Sequence, residues 1–214
     1  VASTEQQGGR LDLIELDRDL IPMLRERYQE AKHVQIIEAD ALSFDFAALS
    51  QGKPMRLVGN LPYNISSPLI FHLLSYGHLI QDMLFMLQEE VVDRLVAEPG
   101  SKRYGRLSVM VQLDCFVAKC FSVLPEHFDP PPKVMSAVVY LKPELKWQVV
   151  DRPLFSALVE QAFVWRRKIL KKTLKRFVSE EFLGELDDLA QCRPEQISVE
   201  NFVRLANMVY NNRK

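Results

Sequence analysis

The stretch Met55-Arg56-Leu57-Val58-Gly59-Asn60-Leu61-Pro62-Tyr63-Asn64, with the apolar run that follows it, indicates the fold class of this chain. Met55 to Val58 predicts a short strand, Asn60 to Asn64 a turn, and Pro68 to Ser75 a helix. A strand, a turn and a helix in this order form the unit of α/β proteins, which bind ligands at the carboxyl ends of their strands. The turn is therefore a candidate functional site.

The same alternation extends on both sides of this stretch. Apolar runs predict strands and amphipathic segments predict helices; the strands are expected at Leu11 to Leu16, Val34 to Glu38 and Met83 to Leu87, and the helices at Arg18 to Tyr28 and Glu89 to Ala97. Cys115 to Leu124 and Ser136 to Leu141 predict two more strands. Because only a proline-rich loop separates these two, we expect them to be antiparallel. The pattern is typical of an α/β domain with a mostly parallel sheet that ends in an antiparallel pair.

The strand signal stops after Pro143, and helical patterns follow. After Pro153, apolar residues at helical spacing predict one buried face, which contains Phe155, Leu158, Val159, Ala162 and Phe163. Further helices are predicted over Glu180 to Ala190 and Val199 to Tyr210, the second with Ser198 as its N-cap. A small all-helical domain is therefore expected at the C-terminus.

Charge is distributed unevenly along the chain. The formal net charge is −1, but residues 146–214 contain 13 lysines and arginines against 9 acidic residues, a net of +4 that leaves −5 for residues 1–145. This asymmetry indicates that the C-terminal part binds a polyanion. We predict a domain boundary between residues 145 and 146.

Composition argues against several classes of protein. No apolar run approaches the roughly 20 residues that cross a bilayer, and residues 1–7 lack the features of a secretion signal, so we expect a cytoplasmic protein with no membrane partner. The cysteines Cys115, Cys120 and Cys192 show no C-x-x-C spacing and no nearby histidine pair. They are predicted to be buried free thiols, and no metal site is expected.

The segment from Trp165 to Phe177 is strongly basic. At about 100° per residue, one half of a helix over this segment would be apolar, and the other would carry every basic residue except Arg166; these are Arg167, Lys168, Lys171, Lys172, Lys175 and Arg176. We expect this face to contact RNA phosphates with a salt-dependent affinity. A solvated lysine face is the alternative.

The turn after the strand Met55 to Val58 carries groups suited to an adenine amine, whose lone pair is delocalised into the ring. The side-chain oxygen of Asn60 and the carbonyl of Pro62 can accept hydrogen bonds from its two N–H groups and restore the lone pair. Pro62 has no N–H of its own to compete, and Tyr63 offers a face on which an extruded base can stack for roughly 1–3 kcal/mol. A surface turn with an exposed tyrosine is the alternative.

Five blocks of sequence resemble the ribosomal RNA adenine dimethylase family, over nearly the whole chain: residues 60–66, 85–91, 104–109, 128–138 and 163–168. The resemblance implies a Rossmann-like methyltransferase sheet with a C-terminal RNA-binding helical domain. It also implies S-adenosylmethionine-dependent dimethylation of the N6 atoms of two adjacent adenosines near the 3′ end of small-subunit (16S) rRNA. The expected partner is the immature 30S subunit, and the protein is expected to be a monomer.

The resemblance also implies a cofactor site. Glu15 ends the first predicted strand and would accept hydrogen bonds from both ribose hydroxyls of S-adenosylmethionine. Asp40, with Ala41 beside it, would bind the cofactor's adenine amine, and Asn60 and Leu61 would complete the contacts. In isolation, an exposed or capping carboxylate is the favoured interpretation of Glu15, and a turn or N-cap aspartate is an equal alternative for Asp40.

Phe128 opens the proline-rich loop between the last two strands. By resemblance it faces the target adenine on the side opposite Tyr63, so that a flipped base is held from both sides. A core phenylalanine before a rigid loop is the alternative.

One family feature has no counterpart in this sequence. A glycine-rich turn is expected about 20 residues before the acidic strand end, yet Glu15 has 14 residues before it, and Gly8-Gly9 reads as a turn. We expect the strand and glycine loop that would occupy the middle of the sheet to be missing. Neighbouring strand edges would then be unpaired, and cofactor binding weakened.

Three other functions remain open. A large-subunit rRNA adenine methylase would share the chemistry, a DNA adenine methylase would use a related N-P-P-Y turn, and a non-catalytic assembly factor would keep only RNA binding. Leu61 at the second position of the turn, with the other blocks, favours RNA over DNA. The intact Asn60, Pro62 and Tyr63 favour an enzyme.

Overall fold

The computed structural model describes residues 9–50, 52–175, 178–179, 182 and 186–212. They divide into two units, one containing residues up to Met55 together with Ile65–Leu79, and the other containing Arg56–Asn64 and the residues from Ile80 onward. The C-terminal helices fall within the second unit. A domain boundary between residues 145 and 146 stays a prediction.

The first unit contains a two-stranded parallel sheet of β1 (Leu11–Glu15) and β2 (Val34–Glu38). The register pairs Glu15 with Glu38, so both strands end at the same edge of the sheet. The helices of this unit are α1 (Leu20–Arg27), α2 (Ala47–Ser50) and α3 (Ser66–Leu74).

The core of this unit includes a cluster of aromatic rings. Phe46 is buried and packs edge-on against Phe44, His72 and Tyr76. The Nε2 atom of His72 lies 2.8 Å from the carbonyl oxygen of Phe44 and fixes α3 to the segment after β2.

The second sheet has the strand order β3-β4-β6-β5, with bounds β3 (Met55–Asn60), β4 (Ile80–Gln88), β5 (Cys115–Val123) and β6 (Ser136–Pro143). β6 is antiparallel to both β4 and β5, which confirms the predicted antiparallel pair. Among the described residues, β1 pairs with β2 and β3 with β4. The strands therefore form two sheets.

The helices of the second unit include α4 (Glu89–Leu95), α5 (Arg106–Asp114), α6 (Arg152–Val164), α7 (Leu170–Leu174) and α8 (Val199–Asn212). Residues of α5, α6, α7 and α8 share one apolar core. The predicted face of α6 is confirmed, because Phe155, Leu158, Val159 and Ala162 are buried and Phe163 packs against the same cluster. Ser198 is confirmed as the N-cap of α8, since its Oγ accepts a 3.2 Å hydrogen bond from Asn201 N–H.

The prediction of one helix over Trp165 to Phe177 was wrong. α6 ends at Val164 and α7 begins at Leu170, and the residues between them form a turn closed by a 2.7 Å bond from Lys168 N–H to the Trp165 carbonyl. The chain is redirected because Ile169 has an extended backbone and Leu170 N–H donates to the carbonyl of Cys192. Phe177 lies outside the described residues.

Two other segments differ from prediction. Five of the eleven residues of the helix predicted over Glu180 to Ala190 lie outside the described residues, and its described end falls in the 3-10 helix Asp187–Gln191. Helix α5 was not predicted, because its last residue, Asp114, runs into β5 without a turn signal.

None of the three cysteines forms a disulfide, and they differ in burial. Cys115 is buried, and burial raises the pKa of its thiol to about 12. The prediction of buried thiols was wrong for Cys120, which is exposed at the irregularity between Lys119 and Phe121 where β5 slips its register against β6. Cys192 is half-buried.

No described helix has the length and apolar character to span a membrane. Within the described part of the chain, no cluster of His, Cys, Asp and Glu could hold a metal ion.

Candidate active site

The turn after β3 is anchored by its second residue. Leu61 N–H donates to the carbonyl oxygen of Met86 on β4 at 3.1 Å, and the Leu61 side chain is buried. This folded position favours glycine at residue 59, since a Cβ there would lie 2.9 Å from Leu61 Cδ2 and the buried Leu61 side chain would have to shift. Gly59 was not identified as important from the sequence, because the close approach depends on how the turn folds back.

Three predicted catalytic residues of this turn are presented to solvent. Asn60, Pro62 and Tyr63 are exposed on either side of the buried Leu61. Their side chains are therefore accessible to a substrate, while the backbone between them is held to the sheet. A rigid backbone with exposed acceptors suits the orientation of an incoming amine.

Tyr63 has a partner that sequence reasoning missed. Its hydroxyl lies 3.2 Å from Ser136 Oγ, at the start of β6. Ser136 is only 1 % exposed, whereas Tyr63 is 38 % exposed. Ser136 lies within one of the blocks that resemble the family, but no local spacing connects two residues 73 positions apart.

Phe128 lies in the same unit, in the loop from β5 to β6. It follows the 3-10 helix Pro125–His127, donates its N–H to the Pro125 carbonyl at 3.1 Å, and is half-buried. Partial burial leaves part of its ring accessible. That Phe128 faces the target adenine stays a prediction.

The predicted cofactor carboxylates of the first unit lie at the carboxyl ends of β1 and β2. Glu15 Oε1 accepts hydrogen bonds of 2.9 Å from the N–H groups of Leu16 and Asp17. Asp40 Oδ1 accepts a 2.9 Å bond from Leu42 N–H. Asp40 therefore acts as a turn aspartate, which is the alternative role that its sequence position allowed. Because these bonds engage Oε1 and Oδ1, each carboxylate is oriented through one of its two oxygens.

Two further observations concern this edge. Ala41, the remaining predicted cofactor residue of this unit, is half-buried next to Asp40. Ala39 N–H donates to the Glu15 carbonyl at 3.0 Å, which extends the pairing of β1 and β2 by one residue toward Asp40. A backbone hydrogen bond thus joins the two segments that carry Glu15 and Asp40.

The predicted RNA-binding residues occupy a turn and a short helix rather than one helical face. Arg167 and Lys168 are exposed in the turn after α6. On α7, Leu170, Thr173 and Leu174 are buried, Lys171 is half-buried, and Lys172 and the C-cap Lys175 are exposed. The predicted division between apolar and basic sides therefore holds within α7. Arg176 lies outside the described residues.

Arg166, the one basic residue that the helical projection set apart, has an internal role. Its Nε donates to Glu195 Oε2 at 2.6 Å, and its terminal NH2 donates to the carbonyls of Ser101 and Lys102. Gly100 N–H donates to the Glu195 carbonyl, and Tyr104 Oη donates to the Ile197 carbonyl at 2.9 Å. These bonds join the loop between α4 and α5 to the segment before α8.

A cavity of about 770 Å³ opens beside these bonds. Its lining includes the basic residues Arg94, Lys102, Arg103, Arg106 and Arg166. Arg94, Arg103 and Arg106 form ion pairs with Glu90, Asp93 and Glu160 respectively. Much of the positive charge is therefore already balanced.

An ion pair holds β3 to β4 at their starts. The guanidinium of Arg56 donates to both carboxylate oxygens of Asp82, at 2.6 and 2.7 Å. The hydrogen bonds from Arg56 lower the pKa of the buried Asp82, against the opposing effect of desolvation. This pair fixes the strand that leads to the turn.

Comparison with known proteins agrees with this architecture. Residues 7–210 match the family model described as "Ribosomal RNA adenine dimethylase". A "Ribosomal RNA small subunit methyltransferase A" of Hahella chejuensis is 50% identical over 210 residues, which cover 97% of this chain and 77% of the relative. The protein of the same name from Pseudomonas aeruginosa is 50% identical over 205 residues, 94% of this chain and 76% of its own length.

Solved structures show the same fold. A dimethyladenosine transferase from Plasmodium falciparum superposes with a TM-score of 0.79 at 25% identity, covering 95% of this chain and 82% of that one. The 23S rRNA methyltransferase ErmE gives a TM-score of 0.66 at 22% identity, covering 94% and 82%. The fold and the family match define a Rossmann-like, S-adenosylmethionine-dependent methyltransferase. More narrowly, the chain belongs to the ribosomal RNA adenine dimethylase family.

Proposed function

We propose that this protein dimethylates the N6 atoms of two adjacent adenosines near the 3′ end of small-subunit (16S) rRNA during ribosome biogenesis. The observation that carries the proposal is the turn after β3, which exposes Asn60, Pro62 and Tyr63 around the anchored Leu61. Half of the residues are shared with relatives named for small-subunit rRNA methylation, which supports this target over the large subunit.

The chemistry follows from the acceptors of the turn. The Asn60 side-chain oxygen and the Pro62 carbonyl accept hydrogen bonds from the adenine amine, which localises its lone pair on nitrogen and directs it at the methyl group. The amine gives up one proton to solvent for each methyl it gains. No covalent enzyme intermediate is needed, because the amine itself is the nucleophile.

The base is held by aromatic rings in this proposal. Tyr63 supplies one stacking face, and Phe128 is proposed to supply the other. A base extruded from its helix loses stacking energy, and two aromatic faces restore part of it. The exposure of Tyr63 and the partial exposure of Phe128 are compatible with these roles.

The residues of the first unit fit the cofactor. When bound, S-adenosylmethionine would supply the electrophilic methyl group, and its sulfur would leave as a neutral thioether as the bond to the methyl carbon breaks. A carboxylate oriented through one oxygen, as in Glu15, can accept hydrogen bonds from ribose hydroxyls, and Asp40 beside Ala41 can accept one from the adenine amine of the cofactor. In the second unit, Asn60 and Leu61 are the proposed cofactor contacts.

The proposed partner is the immature 30S subunit in the cytoplasm, bound by a monomer of this protein. Arg167, Lys168, Lys172 and Lys175 are exposed and can reach phosphates, with Lys171 beside them. Arg176 is included from the sequence alone.

The test is methyl transfer by the full-length protein to immature small subunits from a strain that lacks the modification, followed by mass analysis of adenosine. Asn60→Ala should reduce dimethyladenosine formation by at least about 100-fold while sparing RNA binding, because one of the two amine acceptors is lost. Asn211→Ala, which also removes an exposed asparagine side chain but from α8, is the matched control and should retain transfer. RNA binding without transfer by the wild-type protein would instead support the assembly-factor function.

A further inference from the structure

The buried hydroxyl of Ser136 lies 3.2 Å from the hydroxyl of Tyr63 in the turn after β3. We propose that Ser136 is a positioning residue, whose hydrogen bond to the Tyr63 hydroxyl sets the orientation of the ring on which the target adenine stacks. The inference rests on the proposed function and deepens it. Ser136 itself does not touch the substrate in this role.

The backbone of Ser136 is well fixed. Ser136 is the first residue of β6, the strand between β4 and β5, and it is paired with Gln88 on one side and Val123 on the other. Met135, just before it, accepts a 2.9 Å hydrogen bond from Glu89 N–H. A side chain at this point is held by three neighbouring segments, so its hydroxyl is a fixed reference point.

Tyr63, in contrast, lies on a turn with its ring partly in solvent. The backbone near it is fixed at Leu61, and the far end of its ring is held by Ser136 at 3.2 Å. A tyrosine ring has two free torsions, and restraint at both ends limits the directions in which its face can point. The bond therefore links the exposed ring to the sheet.

Ring orientation matters for transfer because the stacked base carries the nucleophile. If the ring tilts, the amine moves relative to Asn60 and Pro62, and a displacement of about 1 Å can cost on the order of 100-fold in rate. Other contacts of the Tyr63 ring would still restrain its tilt, so the loss of rate should be smaller than 100-fold. We therefore expect Ser136→Ala to lower the saturated rate of transfer by about tenfold.

A buried serine can also serve stability alone, and the chain offers a matched example. Ser108 is fully buried, and its Oγ donates to the Arg94 carbonyl at 2.6 Å and accepts from Gly105 N–H at 3.0 Å. Both partners are backbone groups of the second unit, and neither hydrogen bond involves a residue of the turn after β3. Ser108→Ala thus reports the cost of removing a buried hydroxyl without touching Tyr63.

The experiment compares Ser136→Ala, Tyr63→Phe, their double variant and Ser108→Ala in single-turnover transfer to immature small subunits. Tyr63→Phe keeps the ring and loses the hydroxyl. Because both single changes break the same bond, we expect them to lower the rate constant by similar factors. The half-saturating substrate concentration should stay within about twofold of wild type. The double variant should be no slower than the slower of the two single variants. Ser108→Ala should lower stability and retain the rate.

A second measurement does not depend on activity. With 3-fluorotyrosine incorporated, the fluorine resonance of Tyr63, assigned by its loss in Tyr63→Phe, should shift in Ser136→Ala and stay in place in Ser108→Ala. Wild-type rate in Ser136→Ala, or losses that multiply in the double variant, would overturn the positioning role. Absence of transfer by the wild-type protein would overturn the proposed function together with this role, while a shifted resonance would still establish the contact.

Discussion

The backbone N–H of Leu61 donates to the carbonyl oxygen of Met86 at 3.1 Å, one residue beyond the end of β3. The bond extends the pairing of β3 with β4 into the turn that carries the proposed amine acceptors. Since the Leu61 side chain is buried on one side, the flanking Asn60 and Pro62 face outward. The geometry of the turn thus depends on a residue that is not itself an acceptor.

Gly59→Ala is expected to disturb this turn. The added Cβ would lie 2.9 Å from Leu61 Cδ2, so Leu61 or the backbone must move. We expect a loss of about 1–3 kcal/mol in the free energy of unfolding, measured by urea titration, together with at least a tenfold loss of methyl transfer. Val58→Ala, on the same strand with a side chain 72 % exposed, should change stability by less than about 0.5 kcal/mol. Equal effects of the two substitutions would contradict the role of Gly59.

The parts of the fold that depend on local pattern could be predicted from the sequence. The loop between β5 and β6 has three consecutive prolines and no helical pattern, so an antiparallel pair was expected and is found, and the 3.6-residue spacing after Pro153 identified the buried face of α6. Turn chemistry likewise placed Asn60, Pro62 and Tyr63 at the turn after β3, where they are exposed, while their catalytic role stays a prediction. In each case the signal and the structure lie in the same short segment.

Other features depend on contacts between distant segments and were missed. Ser136 meets Tyr63 only because strand order places the start of β6 near the turn. The basic segment after Val164 has a helical pattern, but Leu170 N–H bonds to the Cys192 carbonyl and Arg166 to Glu195, which favours a turn. Tertiary hydrogen bonds outweigh helix propensity here, because propensity differences amount to less than about 1 kcal/mol per residue.

Arg166 and Arg167 should differ when each is replaced by alanine, although they are adjacent and equally charged. Arg166→Ala removes the bonds to Glu195 and to the Ser101 carbonyl, and should lower the free energy of unfolding by about 1–2 kcal/mol, since the pair is partly exposed. Arg167→Ala should leave stability unchanged, weaken RNA binding and reduce the slope of log affinity against log salt by about 0.7–0.9. Binding titrations at several salt concentrations, with parallel urea unfolding, measure both. The same loss of stability in both variants would contradict the assignment.

Asp82 should make stability depend on pH. Its pKa is lowered in the folded protein by hydrogen bonds from Arg56, so the ionised form favours folding. This contribution is present above the unfolded pKa of about 3.9 and is lost as pH falls through the lower folded value. The wild type should therefore exceed Asp82→Asn in urea midpoint at about pH 7, and the difference should shrink at about pH 3. The effect should be modest because the Arg56 side chain is 63% exposed.

Tyr140→Phe is the comparison for this experiment, because the Tyr140 hydroxyl lies 3.5 Å from Asp82 Oδ2 and lowers the pKa of that carboxyl less than Arg56 does. Its pH dependence should be much closer to that of the wild type than to that of Asp82→Asn. A difference between wild type and Asp82→Asn that stays constant from neutral to acid pH would show that the carboxylate charge is not responsible.

The three cysteines should react with iodoacetamide at different rates. At about pH 8, a thiol with a pKa of about 12 is almost entirely protonated, and Cys115 is also buried. Iodoacetamide should therefore modify the exposed Cys120 first, the half-buried Cys192 more slowly, and Cys115 only on unfolding in urea. Peptide mass analysis of time points distinguishes the three sites, and Cys120→Ser should remove the fast phase alone. Fast modification of Cys115 in the folded protein would mean that β5 opens readily, because its thiol is reachable only when the pairing of β5 with β6 or its contact with the core is lost.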